Sequence, residues 1–171
     1  MDPIRLKIDS DRMDEAMRGL VSAGRDASPL MRAIAGDMHA AVETNFRLEG
    51  RPPWAGLAPS TQAARAAKGY WPGKILQRTG QLAASISEDY DAASAVVGTN
   101  LAYAAAHQLG ARTKAHRIAP RHKKALAFGG RVIKSVMHPG SDIPARPFLF
   151  LDDSDEDKIV GRVTAYLQGL I

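Results

Sequence analysis

Between Asp91 and Asp142, fifty consecutive residues from Ala92 to Ser141 carry no aspartate or glutamate. They hold four histidines, His107, His116, His122 and His138, and eight basic side chains: Arg112, Lys114, Arg117, Arg121, Lys123, Lys124, Arg131 and Lys134. Imidazoles can ligate metal or move protons, but both roles need metal-site spacing or a carboxylate that orients the ring. No such neighbour is present in the block. Only a carboxylate brought from elsewhere in the fold would leave open a hydrolase using His107 or His138. The cations suggest different chemistry, namely contact with a polyanion, an acidic protein face or DNA in a channel, because charge distribution steers association. Solvated surfaces ordinarily mix both signs, so a single-sign block reads as a surface that meets something rather than as a free loop. Tyr103 and Phe128 are its only aromatics, which does not suggest stacking on single strands. Any nucleic-acid contact would be to phosphates, without sequence specificity.

The acidic run Asp153-Ser154-Asp155-Glu156-Asp157 has the alternating oxygens of a calcium loop. Counted from Asp153, however, Lys158 stands where that loop needs glycine and Thr164 where it needs a bidentate glutamate. Acidic side chains at a helix start are explained by exposed backbone N–H groups and the helix dipole. With no cysteine in the chain, disulfides, thiolate catalysis and cysteine-ligated metals are excluded. Gly-rich phosphate loops, serine nucleophile elbows and HExxH are absent from the sequence, and neither catalytic residues nor a cofactor is expected.

A chain of 171 residues with 45% hydrophobic content suits one domain, 1–171, with extensions. Its net charge of +5 arises in the acid-free block, since residues 1–91 are balanced and those after the block are acidic. Apolar runs fall short of the roughly 20 residues a membrane span needs, and Met-Asp-Pro-Ile-Arg is not a signal peptide. A soluble protein made in the cytoplasm is expected.

Several elements must carry these groups. Ile4, Leu6 and Ile8 alternate as in a half-buried strand, and Asp9 or Ser10 would cap a helix with Met13, Met17, Leu20 and Val21 on one face. Ser28 capping and Pro29 at the first turn open a longer helix. Its stripe is Leu30, Ile34, Met38, Ala41, Val42 and Phe46, and the Glu49 to Gly56 stretch ends it. Ser60 and Thr79 would cap two short helices. Ile86 to Tyr90 and Ala95 to Thr99 predict a hairpin, and Ala102 to Gln108 a helical turn or two closed by Gly110. Ala111 to Lys124 lacks an apolar period and reads as an extended basic loop. Ala125 to Phe128 and Arg131 to Met137 flank Gly129-Gly130 as a second hairpin. A last helix would bury Ile159, Val163, Tyr166, Leu167 and Leu170. The fold class is α+β, with long amphipathic helices on a small, mostly antiparallel sheet, a basic loop and hairpin insertion over 111–141, and a C-terminal helix.

Three segments then resemble a known family: Ile75-Leu76-Gln77-Arg78-Thr79-Gly80-Gln81-Leu82-Ala83-Ala84-Ser85-Ile86, Val97-Gly98-Thr99-Asn100-Leu101-Ala102-Tyr103 through His107 to Gly110, and Ile143-Pro144-Ala145-Arg146-Pro147-Phe148-Leu149. In that order, after a long helix and a Gly-Arg-Pro-Pro-Trp loop, they are similar to the phage virion morphogenesis proteins related to Mu protein G and the P2 tail-completion protein S. The similarity runs from about Phe46 onward and is weakest over Ala111 to Ser141. It implies a structural protein of a tailed phage or prophage particle, made in the bacterial host cytoplasm. It would act at the neck or head-proximal tail end, in tail completion and head-tail joining, as a subunit of a ring, commonly sixfold. Implied partners are other copies of itself, a connector or adaptor, a tail terminator or tail tube, and channel DNA. On the matching segments, Thr79, Gly80, Gly98, Asn100, Tyr103, His107, Gly110, Pro144, Arg146, Pro147 and Phe148 take structural roles. Gly98 and Gly110 would bracket the Tyr103 helix in backbone shapes that side chains disfavour. Pro144 and Pro147 would let Arg146 project toward an acidic residue of its own chain or a neighbour, while Phe148 and Leu149 anchor the last helix. Deleting Arg112 to Lys124 is expected to leave the monomer folded and block joining of heads to tails. The rival reading is a nonspecific DNA-binding accessory protein using 112–134.

Overall fold

A computed structural model describes residues 11–121, 125–128 and 131–169. The strand expected at Ile4 to Ile8, together with His122, Lys123, Lys124, the Gly129-Gly130 turn and Leu170, lies outside the described residues. Helices are α1 Asp11–Arg25, α2 Ser28–Leu48, α3 Pro59–Ala66, α4 Gln81–Ala84, α5 Ala104–Gln108 and α6 Asp153–Gln168. Strands are β1 Ser87–Tyr90, β2 Ala95–Gly98, β3 Ala111–Thr113, β4 His116–Ile118, β5 Leu126–Phe128, β6 Arg131–Ile133, β7 Val136–His138 and β8 Ser141–Ile143. All pairing is antiparallel, in four two-stranded ladders, so the fold is α+β.

The central element is α2. Its three- and four-residue spacing buries Leu30, Ile34, Ala41, Val42 and Phe46, against the β1–β2 hairpin on one side and α6 on the other. Phe46, Trp54, Leu82, Ile86, Ala104 and Phe148 join Val42 in the core. The Phe46 ring lies 5.8 Å from Trp54, edge-on, and 5.4 Å from Phe148. α2 ends at Glu49, left-handed at φ 60, followed by Gly50 at φ 103. A Cβ on Gly50 would fall 2.4 Å from Trp54 Cδ1, so only glycine lets the chain fold back and insert that indole.

Three expected caps are absent. Ala27 occupies the cap of α2 without a side-chain bond, and Asp26 Oδ1 instead accepts from Ser28 N at 2.9 Å. Helix α3 starts at Pro59, one residue ahead of Ser60, because proline's fixed φ already suits a first turn. Gly80, at φ 73, rather than Thr79 precedes α4. On α1, the expected core face stays outside: Met17 and Val21 are 57% and 53% exposed, since the hairpin and α6 already cover the buried face of α2.

The chain from Arg146 to Asp152 has no strand partner, yet it crosses the core. Side chains satisfy its backbone instead. Gln108 Oε1 accepts from Phe148 N and Leu149 N, both at 3.0 Å, and Gln108 Nε2 donates to Leu149 O. Asn45, fully buried, donates through Nδ2 to Phe148 O at 2.9 Å and Phe150 O at 2.8 Å. Trp54 Nε1 donates to Pro147 O, and Arg146 N to His107 O. Arg51 Nε donates to Asn45 Oδ1, and its terminal nitrogens reach Asp152 and Asp155 at 2.7 Å each. Asp152, one residue ahead of the acidic run, is the cap of α6, and Asp155 of the run completes a capping box with it. The expected apolar face of α6 is only half-buried, and Leu167 is exposed.

The expected basic loop is instead one side of a β-arm. β3 pairs with β8 and β4 with β7 in the same register, from Ala111 opposite Ile143 to Ile118 opposite Val136, as two ladders separated at 114–115 and 139–140. About eight residues at roughly 3.3 Å each make this arm some 25 Å long. Gly140, at φ 97, has Thr113 O 2.2 Å from where its Cβ would stand, so glycine alone lets the strands close at that point. The expected second hairpin is correct only between β5 and β6. Its second strand breaks after Ile133, and Val136 and Met137 pair with β4.

Replacing Asn45 with leucine strips the buried Phe148 carbonyl and the part-buried Phe150 carbonyl and Arg51 Nε of this partner. Asn45→Leu is expected to lower unfolding free energy by about 2 to 4 kcal/mol in urea titration, although it adds apolar volume to the stripe. A second prediction concerns Asp37, which Arg162 and Lys158 of α6 bind. The hydrogen bond from Arg162, aided by Lys158, outweighs burial and holds the Asp37 carboxyl below its ordinary 3.8. Its ionised form therefore favours folding above pH 3.8, and that contribution is lost as pH falls through the lower folded value. Asp37→Asn should be less stable than the parent at neutral pH, and thermal melts at about pH 2 should show a much smaller gap.

Candidate functional site

The three motif segments, far apart in sequence, meet around one open cleft of about 860 Å³. α3 and the loop before it supply Gly56, Leu57, Ser60, Thr61 and Arg65. The turn into α4 supplies Leu76, Arg78, Thr79, Gln81 and Leu82. α5 and its cap supply Tyr103 and His107, and the root of the arm supplies Ser141 to Pro144 and Arg146. Thr79, Tyr103, His107, Pro144 and Arg146 are thus brought together. Gly110, at φ 76, lies where a Cβ would press to 3.0 Å on Ala145 N and Ile143 O, so it seats α5 against the arm root. Gly98 and Asn100 line a separate hollow of about 510 Å³, shared with Phe148. Gly98 shows no positive φ and no crowding, so only Gly110 fills the expected bracketing role. Phe148 is fully buried and anchors the start of α6 as expected.

Arg146 does not project. It is 5% exposed, and its Nε and Nη2 donate to Ala55 O at 2.9 Å and Gly56 O at 3.0 Å. Two loop carbonyls replace the expected carboxylate because the 51–56 turn folds back over the segment Arg146 leaves. Burial, and secondly the nearby Arg65 cation, lower the guanidinium's pKa. His107 lies beside it, edge-on to Tyr103 at 6.0 Å. Its own pKa is lowered by burial first and the Arg146 charge second, both of which favour the neutral ring. His107 Nδ1 is buried with no hydrogen-bond partner among the described residues. His138 Nδ1 accepts from Gly140 N at 3.1 Å, and its ring lies 5.2 Å from that of His116. Neither His107 nor His138 has a carboxylate within hydrogen-bond reach among the described residues, the feature a hydrolase reading requires. No cluster of three or more metal-ligating side chains occurs among the described residues, and none of their helices is long and apolar enough to cross a membrane.

The basic set is carried by the arm. Arg112, Lys114, Arg117, Arg121 and Lys134 are exposed, and Arg131 lies opposite Phe128 in the β5–β6 ladder. Arg112 approaches Asp142 at 3.8 Å, both largely in solvent, a contact worth little. Sequence reasoning missed a second set of cations, Arg65, Lys68 and Arg78, which border the cleft and an adjoining shallow hollow. They come from Gly50 to Ser87, a second stretch without aspartate or glutamate that carries Arg51, Arg65, Lys68, Lys74 and Arg78, so the same acid-free signal marks them in the sequence.

The chain belongs to the phage virion morphogenesis family, which matches residues 8–168. The match begins well before Phe46, so α1 and α2 are part of the family unit. Among curated proteins, the chain is 35% identical over 162 residues to the Mu-like prophage FluMu G protein 2 of Haemophilus influenzae, covering 95% of this chain and 94% of the relative. It is 30% identical over 173 residues to the Escherichia phage Mu protein named "Putative capsid assembly protein G", covering 96% and 97%. No solved structure matches the chain significantly. Its role is therefore structural, in assembly of a phage particle.

Arg146→Ala strips two loop carbonyls of their donors and should lower stability by at least about 2 kcal/mol in chemical denaturation. Arg146→Lys, which cannot bridge both oxygens, should recover less than half of that loss.

Proposed function

We propose that this protein is a ring-forming subunit at the neck or head-proximal tail end of a tailed phage or prophage particle, where it completes the tail and permits head-tail joining. Membership of the virion morphogenesis family over nearly the whole chain carries this reading. The arm supports the joining role: its strands pair chiefly with each other, and it presents Lys114, Arg117, Arg121 and Lys134 to solvent. Repeated around a ring, these cations become a basic belt that meets either an adjoining ring or DNA in the channel. The second of these contacts keeps the DNA-binding reading alive, because the exposed arm cations other than Arg112 have no carboxylate partner among the described residues.

The strand pairing alters the test. Removing Arg112 to Lys124 would strip β3 and β4 and orphan β7 and β8. The cleaner variant excises 116–138 and closes the β3–β8 ladder with a short turn. It should keep the parent's melting temperature within a few degrees and lower infectious particle yield at least about tenfold, with separated heads and tails in electron micrographs. Normal particle yield would overturn the arm's role in joining. Duplex DNA titrated at two salt concentrations separates the targets, because counterion release gives a steep salt slope only where phosphates are bound.

A further inference from the structure

We infer that the cleft receives the first turns of α6 from a second copy of this chain, making a head-to-tail contact between subunits. The inference deepens the ring reading above and rests on it.

The receiving side is concave and cationic. Arg65 is fixed by its Nη1 donating to Lys74 O at 3.0 Å, and the Arg78 guanidinium stands 6.0 Å from the centre of the Tyr70 ring. Neither guanidinium pairs with a carboxylate among the described residues. The one acid in the lining, Asp142, approaches Arg112. Between these cations the walls are partly apolar, with half-buried Leu57, Leu76 and Ile143 beside Ser60, Thr61 and Thr79. Bidentate guanidiniums over apolar walls suit carboxylates carried on an amphipathic segment. A convex DNA duplex would reach the rim but not the walls.

The entering side is on α6. Its first turn divides its acids: Asp152 and Asp155 are engaged by Arg51, whereas Asp153, Glu156 and Asp157 are exposed and form no ion pair among the described residues. Spacing of three and four places these three carboxylates on one face. The next position along that stripe is Val160, 62% exposed, so the face runs from acid to apolar, matching a cleft with cations and apolar walls. The cleft's volume of about 860 Å³ admits one turn of a helix about 10 Å across. Two different surfaces of one chain meet in this contact, so it is heterologous and propagates beyond a two-fold dimer, into a ring where its rotation closes.

The test is charge reversal on the full chain, read by sedimentation velocity, with circular dichroism melts confirming folding. The parent should self-associate, more weakly at about 0.5 M than at about 0.05 M salt. Arg65→Glu with Arg78→Glu, and separately Glu156→Lys with Asp157→Lys, should each weaken association at least about tenfold. A one-to-one mixture of the two variants should recover association in alternating order, because native cleft then meets native α6 and reversed cleft meets reversed α6. If a reversal unfolds the chain, Arg65→Gln with Arg78→Gln serves in its place. A parent that stays monomeric throughout overturns the ring reading and this contact with it. An oligomer that ignores both reversals overturns this contact alone. Loss of duplex DNA binding without loss of association would also overturn it, marking the cleft as a phosphate site.

Discussion

Everything in this fold depends on satisfying the backbone of residues 146–150 without a strand beside it. A chain crossing a core must hydrogen-bond its amides, and an unpaired one costs on the order of 1 to 3 kcal/mol. Here two side-chain amides act as surrogate strands. Gln108, at the end of α5, takes one edge, and Asn45, on the buried stripe of α2, takes the other. Because both must face the same segment, they fix where α5 and α2 lie relative to each other. That placement defines the cleft wall, the arm root and the start of α6.

Arg51 extends the network outward. It binds Asn45, the carbonyl of Ala41 and both members of the α6 capping box. A single guanidinium thus ties the end of α2 to the beginning of α6, while Asp37 with Arg162 and Lys158 ties the two helices further along. Arg146 plays the matching part on the other side of the 51–56 turn. Planar five-donor groups suit these sites because each must reach several oxygens at once, which lysine's single ammonium cannot do in a fixed geometry.

What was legible in the sequence follows from which forces leave a periodic trace. The α2 stripe was readable because burial repeats every three to four residues, and the first hairpin because Asp91 to Ser94 separates two short runs. Asn45 was hidden, being a polar residue within an apolar stripe whose partners lie over a hundred positions away. The arm strands β3 and β4 were missed for a different reason: both faces are largely exposed, so no alternation marks them, and their partners are β8 and β7 rather than neighbours in sequence. Arg146 was misread because flanking prolines describe its own backbone, while its burial is set by carbonyls some ninety residues earlier. The three motif segments were recognisable separately, but their convergence on a single cleft exists only in three dimensions.

Charge was read in one dimension and acts in three. The acid-free block marks the arm, whose cations stay solvated, so whatever they meet must come to an extended ladder from outside. Arg65 and Arg78 belong to a second acid-free stretch, Gly50 to Ser87, and folding places them in a concavity away from the α2 and α6 acids that Arg51, Lys158 and Arg162 already hold. The two basic surfaces differ physically. An exposed arm interacts through long-range fields that salt screens within about 10 Å, whereas a concave site with apolar walls adds shape and desolvation to charge. This chain carries one surface of each kind.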